Sequence, residues 1–132
     1  MQIKFVSLFV TDQEAALQFY TNFLGFTKMA DIPLGEDRWL TVASPDGIDG
    51  AELVLEPLRF QPASVYQKAL FDAGIPATAL ISLDIEKDYK ELKARGVVFR
   101  GEPQSAGIIM TALFEDTCGN LINLVQVIPQ EQ

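Results

Sequence analysis

The chemistry open to this chain is set by a shortage. Its 132 residues include no histidine and a single cysteine, Cys118. Without imidazole there is no Ser-His-Asp or Cys-His site, no His-ligated zinc and no two-His-one-carboxylate iron site. One cysteine makes neither an intrachain disulfide nor a cluster of cysteine ligands. Carboxylates, amides, hydroxyls, Lys, Arg and Tyr remain. Glu52 and Glu56 are four residues apart in a strand-like run, so they share one face of that strand. Such a pair suits a general base (Glu52 is the candidate) or a counter-charge to a cationic ligand. Arg38 and Trp39 are candidates to clamp and stack a planar or anionic ligand. Asn123 is a candidate hydrogen-bonding amide. Phe5 and Phe9, with Ser7 between them, share one face of the first strand and suit the wall of a site. Cys118 follows Glu115 and Asp116, whose charges disfavour a thiolate, and reads as an inert turn residue.

Charge narrows the partners. Ten Lys and Arg against eighteen Asp and Glu leave a net charge of −8. Nothing in that balance replaces phosphate counterions, so nucleic acid is excluded as a partner, and anionic membrane surfaces repel the chain. No apolar run approaches the roughly 18 residues of a membrane span. The apolar start, Phe5 to Val10, is followed at once by Asp12 and Glu14, which suits a strand rather than a signal segment. A cytoplasmic protein is expected.

The elements that must carry these residues repeat. A strand over 3–10 precedes a helix with Thr11 and Glu14 at capping-box spacing and Ala16, Phe19, Tyr20, Phe23 and Leu24 at helical spacing, closed by Gly25. Strands are expected near 26–30, 39–43 and 51–55, with a polar loop at 33–37. Ser64 caps a linker helix over about 64–73. A strand over 77–83, a helix capped by Asp84 and ended by Gly96, and strands at 97–99, 109–114 and 121–128 complete the chain. Asp12 to Asp84 is 72 residues, and Glu52 to Asn123 is 71. That spacing indicates a duplicated half-domain, with modules of about 1–57 and 77–128. Each half has too few strands for a two-sided core. Two halves side by side, or one from each of two chains, would make a curved eight-stranded mixed sheet. Alternation puts Val6, Leu8 and Val10 on the face that packs helices, and Phe5, Ser7 and Phe9 on the other. Leu53 and Leu55 oppose Glu52, Val54 and Glu56 in the same way, and Ile122 and Leu124 oppose Asn123 and Val125. The mixed face is an apolar surface dotted with polar groups, which is what a small-molecule pocket needs.

Val10-x-Asp12, Ala16-x-x-Phe19-Tyr20, Leu24-Gly25-Phe26, Asp116-x-x-Gly119-Asn120 and Leu124-x-Gln126 lie in order along this repeat. Together they resemble the vicinal oxygen chelate superfamily, the glyoxalase, bleomycin-resistance and extradiol-dioxygenase group. The resemblance covers nearly the whole chain. It is nearest to short bacterial members with an Arg-Trp-Leu-Thr-Val strand, here Arg38 to Val42, and an inserted helix. It implies an α+β fold of paired βαβββ modules and a homodimer. In metal-dependent relatives four side chains hold a divalent ion. Here the matching positions are Phe5, Glu52, Ala77 or Thr78, and Asn123, one strong ligand in four. The resemblance therefore implies a metal-free binder of a cationic or amphipathic small molecule, with ligand contacts at Phe5, Ser7, Arg38, Trp39, Glu52, Glu56 and Asn123. The alternatives are a glyoxalase-like lyase or dioxygenase with an atypical divalent-metal site or a Glu52 base, or an interaction module whose cavity is filled by Phe5, Phe9 and Trp39.

Overall fold

The computed structural model describes residues 1–47 and 50–128. In chain order the elements are β1 (Phe5–Val10), α1 (Gln13–Gln18), β2 (Thr27–Leu34), β3 (Asp37–Ala43), β4 (Glu52–Pro57), α2 (Gln61–Asp72), β5 (Thr78–Ile81), α3 (Ile85–Ala94), β6 (Gln104–Ala106), β7 (Ile109–Glu115) and β8 (Leu121–Val127). They form two four-stranded sheets, ordered β1-β4-β3-β2 and β5-β8-β7-β6. β1 pairs parallel to β4 and β5 parallel to β8, and the other pairings are antiparallel. The β-α-β-β-β path is thus walked twice in an α+β fold. Among the described residues, β1 and β5 are each left as the edge of their own sheet.

Local chemistry explains where elements begin and end. Asp12 caps α1, accepting from the Ala15 N–H at 2.9 Å. Thr11 does not take that place, because the helix starts one residue later with Asp12 in the extended cap position; the Thr11 N–H donates across to the Cys118 carbonyl at 3.1 Å. The helix widens into a π-helical turn over Phe19–Phe23, whose first two residues, Phe19 and Tyr20, are buried. β2 continues through Pro33 to Leu34 where a loop was expected. An edge strand tolerates a proline because one row of its N–H groups has no ladder to join. α2 starts at Gln61, ahead of Ser64, with Pro62 in the first turn, where a missing N–H costs nothing. Residues 97–99 form only a single bridge, Phe99 to Phe114, and the short strand β6 lies in the Gly- and Pro-containing stretch that follows.

One apolar core joins the modules. Leu8, Val10, Leu40, Val42 and Leu55 of the first sheet meet Ala16, Leu17, Phe19 and Tyr20, and the cluster continues into Ile85, Leu92, Ala112, Phe114, Ile122 and Leu124. Polar ties cross the same junction. The Tyr20 hydroxyl donates to Asp116 Oδ2 at 2.8 Å, and the buried Asp116 also accepts from the Cys118 N–H, the Asn120 N–H and Asn120 Nδ2. Buried Gln67 of α2 donates from Nε2 to the Phe9 carbonyl at 3.0 Å, the Cys118 carbonyl at 3.2 Å and Asn120 Oδ1 at 3.2 Å. A buried carboxylate with four donors and an amide with three acceptors hold the two sheets in one geometry.

Candidate functional site

Strand register decides which side chains meet on the face turned away from the helices. Phe5, Ser7 and Phe9 on β1 stand opposite Glu52, Val54 and Glu56 on β4, and Thr41 on β3 stands opposite Val54. Trp39 shares Thr41's face, and its partner on β2 is Ile32. Phe5 and Trp39 meet edge to face with ring centroids 5.3 Å apart. This half of the site is therefore an aromatic and aliphatic wall carrying two carboxylates and two hydroxyls.

The two carboxylates differ. Glu52 has both oxygens engaged: the Thr41 hydroxyl donates to Oε1 at 2.6 Å, and Lys4 Nζ lies 3.1 Å from Oε2. The Thr41 hydrogen bond first, and Lys4 second, hold its carboxyl below the usual range. Glu52 is a fixed, paired anion and a weak proton acceptor. Glu56 accepts from the Ser7 hydroxyl at 3.2 Å and sits near no cation among the described ion pairs. Lys4 also donates to the Gly50 carbonyl at 3.3 Å and lies 5.6 Å from the Phe5 ring centroid. It stands beside an open crevice of about 640 Å³ lined by Gln2, Ile3, Lys4, Phe5 and Gly50.

Arg38 is not brought to this face. Its neighbours along β3 with the same orientation are Leu40 and Val42 of the core, and its guanidinium donates to Asp31 at 2.8 and 2.9 Å and to Glu14 at 3.2 Å. The Arg38 hydrogen bonds hold the Asp31 carboxyl at about 2. Asn123 lies on the corresponding face of the second sheet, opposite Ala79 on β5 and Leu113 on β7. Cys118 is buried, and burial with the Asp116 charge pushes its thiol up to about 11, so it is unreactive at neutral pH. Lys4 and Thr41 were missed from the sequence. Thr41 carried a signal, since it alternates in step with Trp39. Lys4 carried none, because its pairing depends on a parallel register spanning 48 residues.

Each half-face is open. Phe5, Ile32 and Leu34 are 47%, 53% and 57% exposed on the first sheet, and Ile81 and Val127 are 71% and 52% exposed on the second. These apolar side chains at the strand ends and edges of each face are exposed, whereas Thr41 and Val54 at the centre of the first are buried.

The profile of the Glyoxalase/Bleomycin resistance protein/Dioxygenase superfamily matches residues 2–124. The chain belongs to that superfamily. YurT of Bacillus subtilis (strain 168) is 51% identical over 126 residues, covering 96% of this chain and 99% of that protein. The solved structure of UcmS2 is similar with a TM-score of 0.80 at 29% identity, covering 95% of this chain and 97% of that one. TnmS3, described as an antibiotic binding protein from Streptomyces sp. CB03234, is similar with a TM-score of 0.74 at 30% identity, covering 96% of each chain.

Membership in the glyoxalase/bleomycin-resistance superfamily raises the question of a divalent ion, and the residues present do not fit one. Among the described residues no three His, Cys, Asp or Glu side chains gather as a metal site. Glu52, the one strong ligand at a matching position, already holds an ammonium 3.1 Å from Oε2 and a hydroxyl on Oε1. A divalent ion needs several oxygen or nitrogen donors, and here it would have to displace a cation from the first of them.

Proposed function

We propose that this protein binds and sequesters a cationic or amphipathic small molecule, without a divalent metal ion, in a site that two copies of the chain complete. The observation that carries this is the inequality of the two acids. Glu52 is neutralised from within by Lys4 and Thr41, whereas Glu56 has a single hydroxyl donor and stands on a wall made by Phe5, Phe9 and Trp39. An ionised carboxylate on an aromatic surface favours a ligand that joins a cationic group to a flat apolar body. The overall negative charge draws such ligands in. The antibiotic-binding neighbour TnmS3 is consistent with the reading. The ligand-side residues are Phe5, Ser7, Trp39, Glu52, Glu56 and Asn123. Arg38, engaged on the helix side, is left out of the contact set.

The second copy enters because each open half-face needs another. β1 and β5 are each an edge of their sheet, and the proposed homodimer sets the first sheet of one copy beside the second sheet of the other. Free, buried Cys118 suits a cytoplasmic, reducing setting.

Fluorescence titration with 9-aminoacridine, a cation at neutral pH, and with uncharged acridine tests the reading in wild type and Glu56→Gln. The cation is expected to bind more tightly to wild type and to lose that advantage in Glu56→Gln. Failure of both rings to bind overturns small-molecule binding. A stoichiometric divalent ion in protein purified without tags or chelators overturns the metal-free part, and a monomer in sedimentation at micromolar concentration overturns the shared site.

A further inference from the structure

Asn123 is where the site has an unmet hydrogen-bonding demand. Among the described residues, its Oδ1 is the buried side-chain polar atom without a hydrogen-bond partner. The register gives the reason. Its cross-strand neighbours on this face are Ala79 and Leu113, and its neighbours along β8 are Leu121 and Val125, so no adjacent side chain can donate. The hydroxyls on the first sheet's face are already donating, Ser7 to Glu56 and Thr41 to Glu52. Buried polar atoms in folded proteins are nearly always paired, and an empty acceptor on a ligand-side face marks a place where a donor belongs.

We infer that Asn123 is a specificity-determining acceptor, and that the ligand is an apolar ring compound bearing an O–H or N–H donor that reaches Asn123 Oδ1. The inference rests on the preceding reading that this face binds a small molecule, and it adds the group such a molecule must carry. A donor-bearing ligand satisfies the buried oxygen. A ligand of the same shape with the donor capped sets an ether or tertiary amine against it and leaves both acceptors desolvated. Sites built around a buried hydrogen bond reject capped analogues far more strongly than an apolar pocket rejects a change of size.

Isothermal titration with matched probes tests this. The probes are 2-naphthol against 2-methoxynaphthalene, and 9-aminoacridine against 9-dimethylaminoacridine. Wild type is expected to bind each donor at least about tenfold more tightly than its capped partner. Asn123→Leu, which keeps the volume and removes the acceptor, is expected to bring each pair within about twofold, and Asn123→Asp to keep the preference. Circular dichroism and sedimentation confirm fold and assembly of each variant. Equal binding of donor and capped probes to wild type overturns the inference while leaving small-molecule binding intact. So does a preference that survives in Asn123→Leu. Loss of dimer in Asn123→Leu without any donor preference in wild type assigns the amide to the subunit contact and overturns it too. If no probe binds wild type, small-molecule binding itself falls, and this inference with it.

Discussion

Gly119→Ala tests how the linker helix is fixed to the junction between the modules. Gly119 has φ of 94°, in the left-handed region, where a side chain costs about 1–2 kcal/mol. An added Cβ would lie 2.7 Å from Gln67 Oε1 and 2.8 Å from its Cδ. That amide is held, since its Nε2 donates to the Phe9 and Cys118 carbonyls and to Asn120 Oδ1. Two N–H groups serve three acceptors, so pushing the amide aside breaks two full hydrogen bonds, each worth about 1 kcal/mol. Gly119→Ala is therefore expected to cost about 3–4 kcal/mol in wild type. Gln67→Ala vacates the space, and in that background Gly119→Ala should cost only the backbone part, about 1–2 kcal/mol. The coupling energy is about 2 kcal/mol. Urea unfolding of the four proteins, followed through the single tryptophan, Trp39, measures it if the slopes agree. Equal costs of Gly119→Ala in the two backgrounds, within about 0.5 kcal/mol, would refute the clash and the latch together.

Other outcomes follow from the polar groups. Tyr20→Phe removes a buried hydrogen bond to a carboxylate and should cost about 1.5–3 kcal/mol at pH 7, read from the urea midpoint. Burial first, and the Asp116 charge second, raise the Tyr20 phenol well above its usual 10.0, so the stability it confers is complete below that value and lost as pH rises toward the folded one. Tyr20→Phe should therefore show a flatter alkaline limb above pH 10.0, and an unchanged limb would contradict this. Arg38→Ala should return the Asp31 carboxyl from about 2 toward its usual 3.8 in a carbon-detected titration. Asp31's contribution, present above the usual value, is lost as pH falls toward the folded one, and 9-aminoacridine binding should not change, because Arg38 faces the helices. For Glu52, Thr41→Val should raise the carboxyl pKa more than Lys4→Met does, since the hydroxyl is the larger cause. Cys118, pushed to about 11, should resist a thiol reagent at pH 8 in the folded protein and react on adding urea, and rapid labelling of the folded state would contradict its burial.

Much of this architecture was legible in the chain because the face of a strand follows from alternation. The period of two separated wall from core over Ser7-Leu8-Phe9-Val10, where Leu8 and Val10 are buried and Phe9 is exposed, but Val6, expected on the core face with them, is 50% exposed because the core does not reach the start of the strand. Helix ends were legible where a glycine or an aspartate had one local solution, as at Asp84 and Gly96. The β2 extension through Pro33 was not, because proline argues against a strand only where both edges are paired, and edge position is a tertiary fact.

The site was legible in part for the same reason. Alternation alone separates adjacent residues, so Arg38 and Trp39 cannot both face one ligand from β3; Trp39 shares Thr41's face, and Arg38 goes with Leu40 and Val42. What alternation cannot supply is pairing across strands. Glu52 and Glu56 look equivalent in sequence, and the parallel register of β1 against β4 makes them unequal. That register brings Lys4 to Glu52 and leaves Glu56 with Ser7. The register of β8 between β5 and β7 likewise surrounds Asn123 with apolar neighbours. In the proposed site, ligand choice therefore depends less on which polar residues lie on the face than on which of them the sheet has already satisfied. Glu52 is satisfied, so Glu56 and Asn123 are the positions where a ligand's charge and donor would be read.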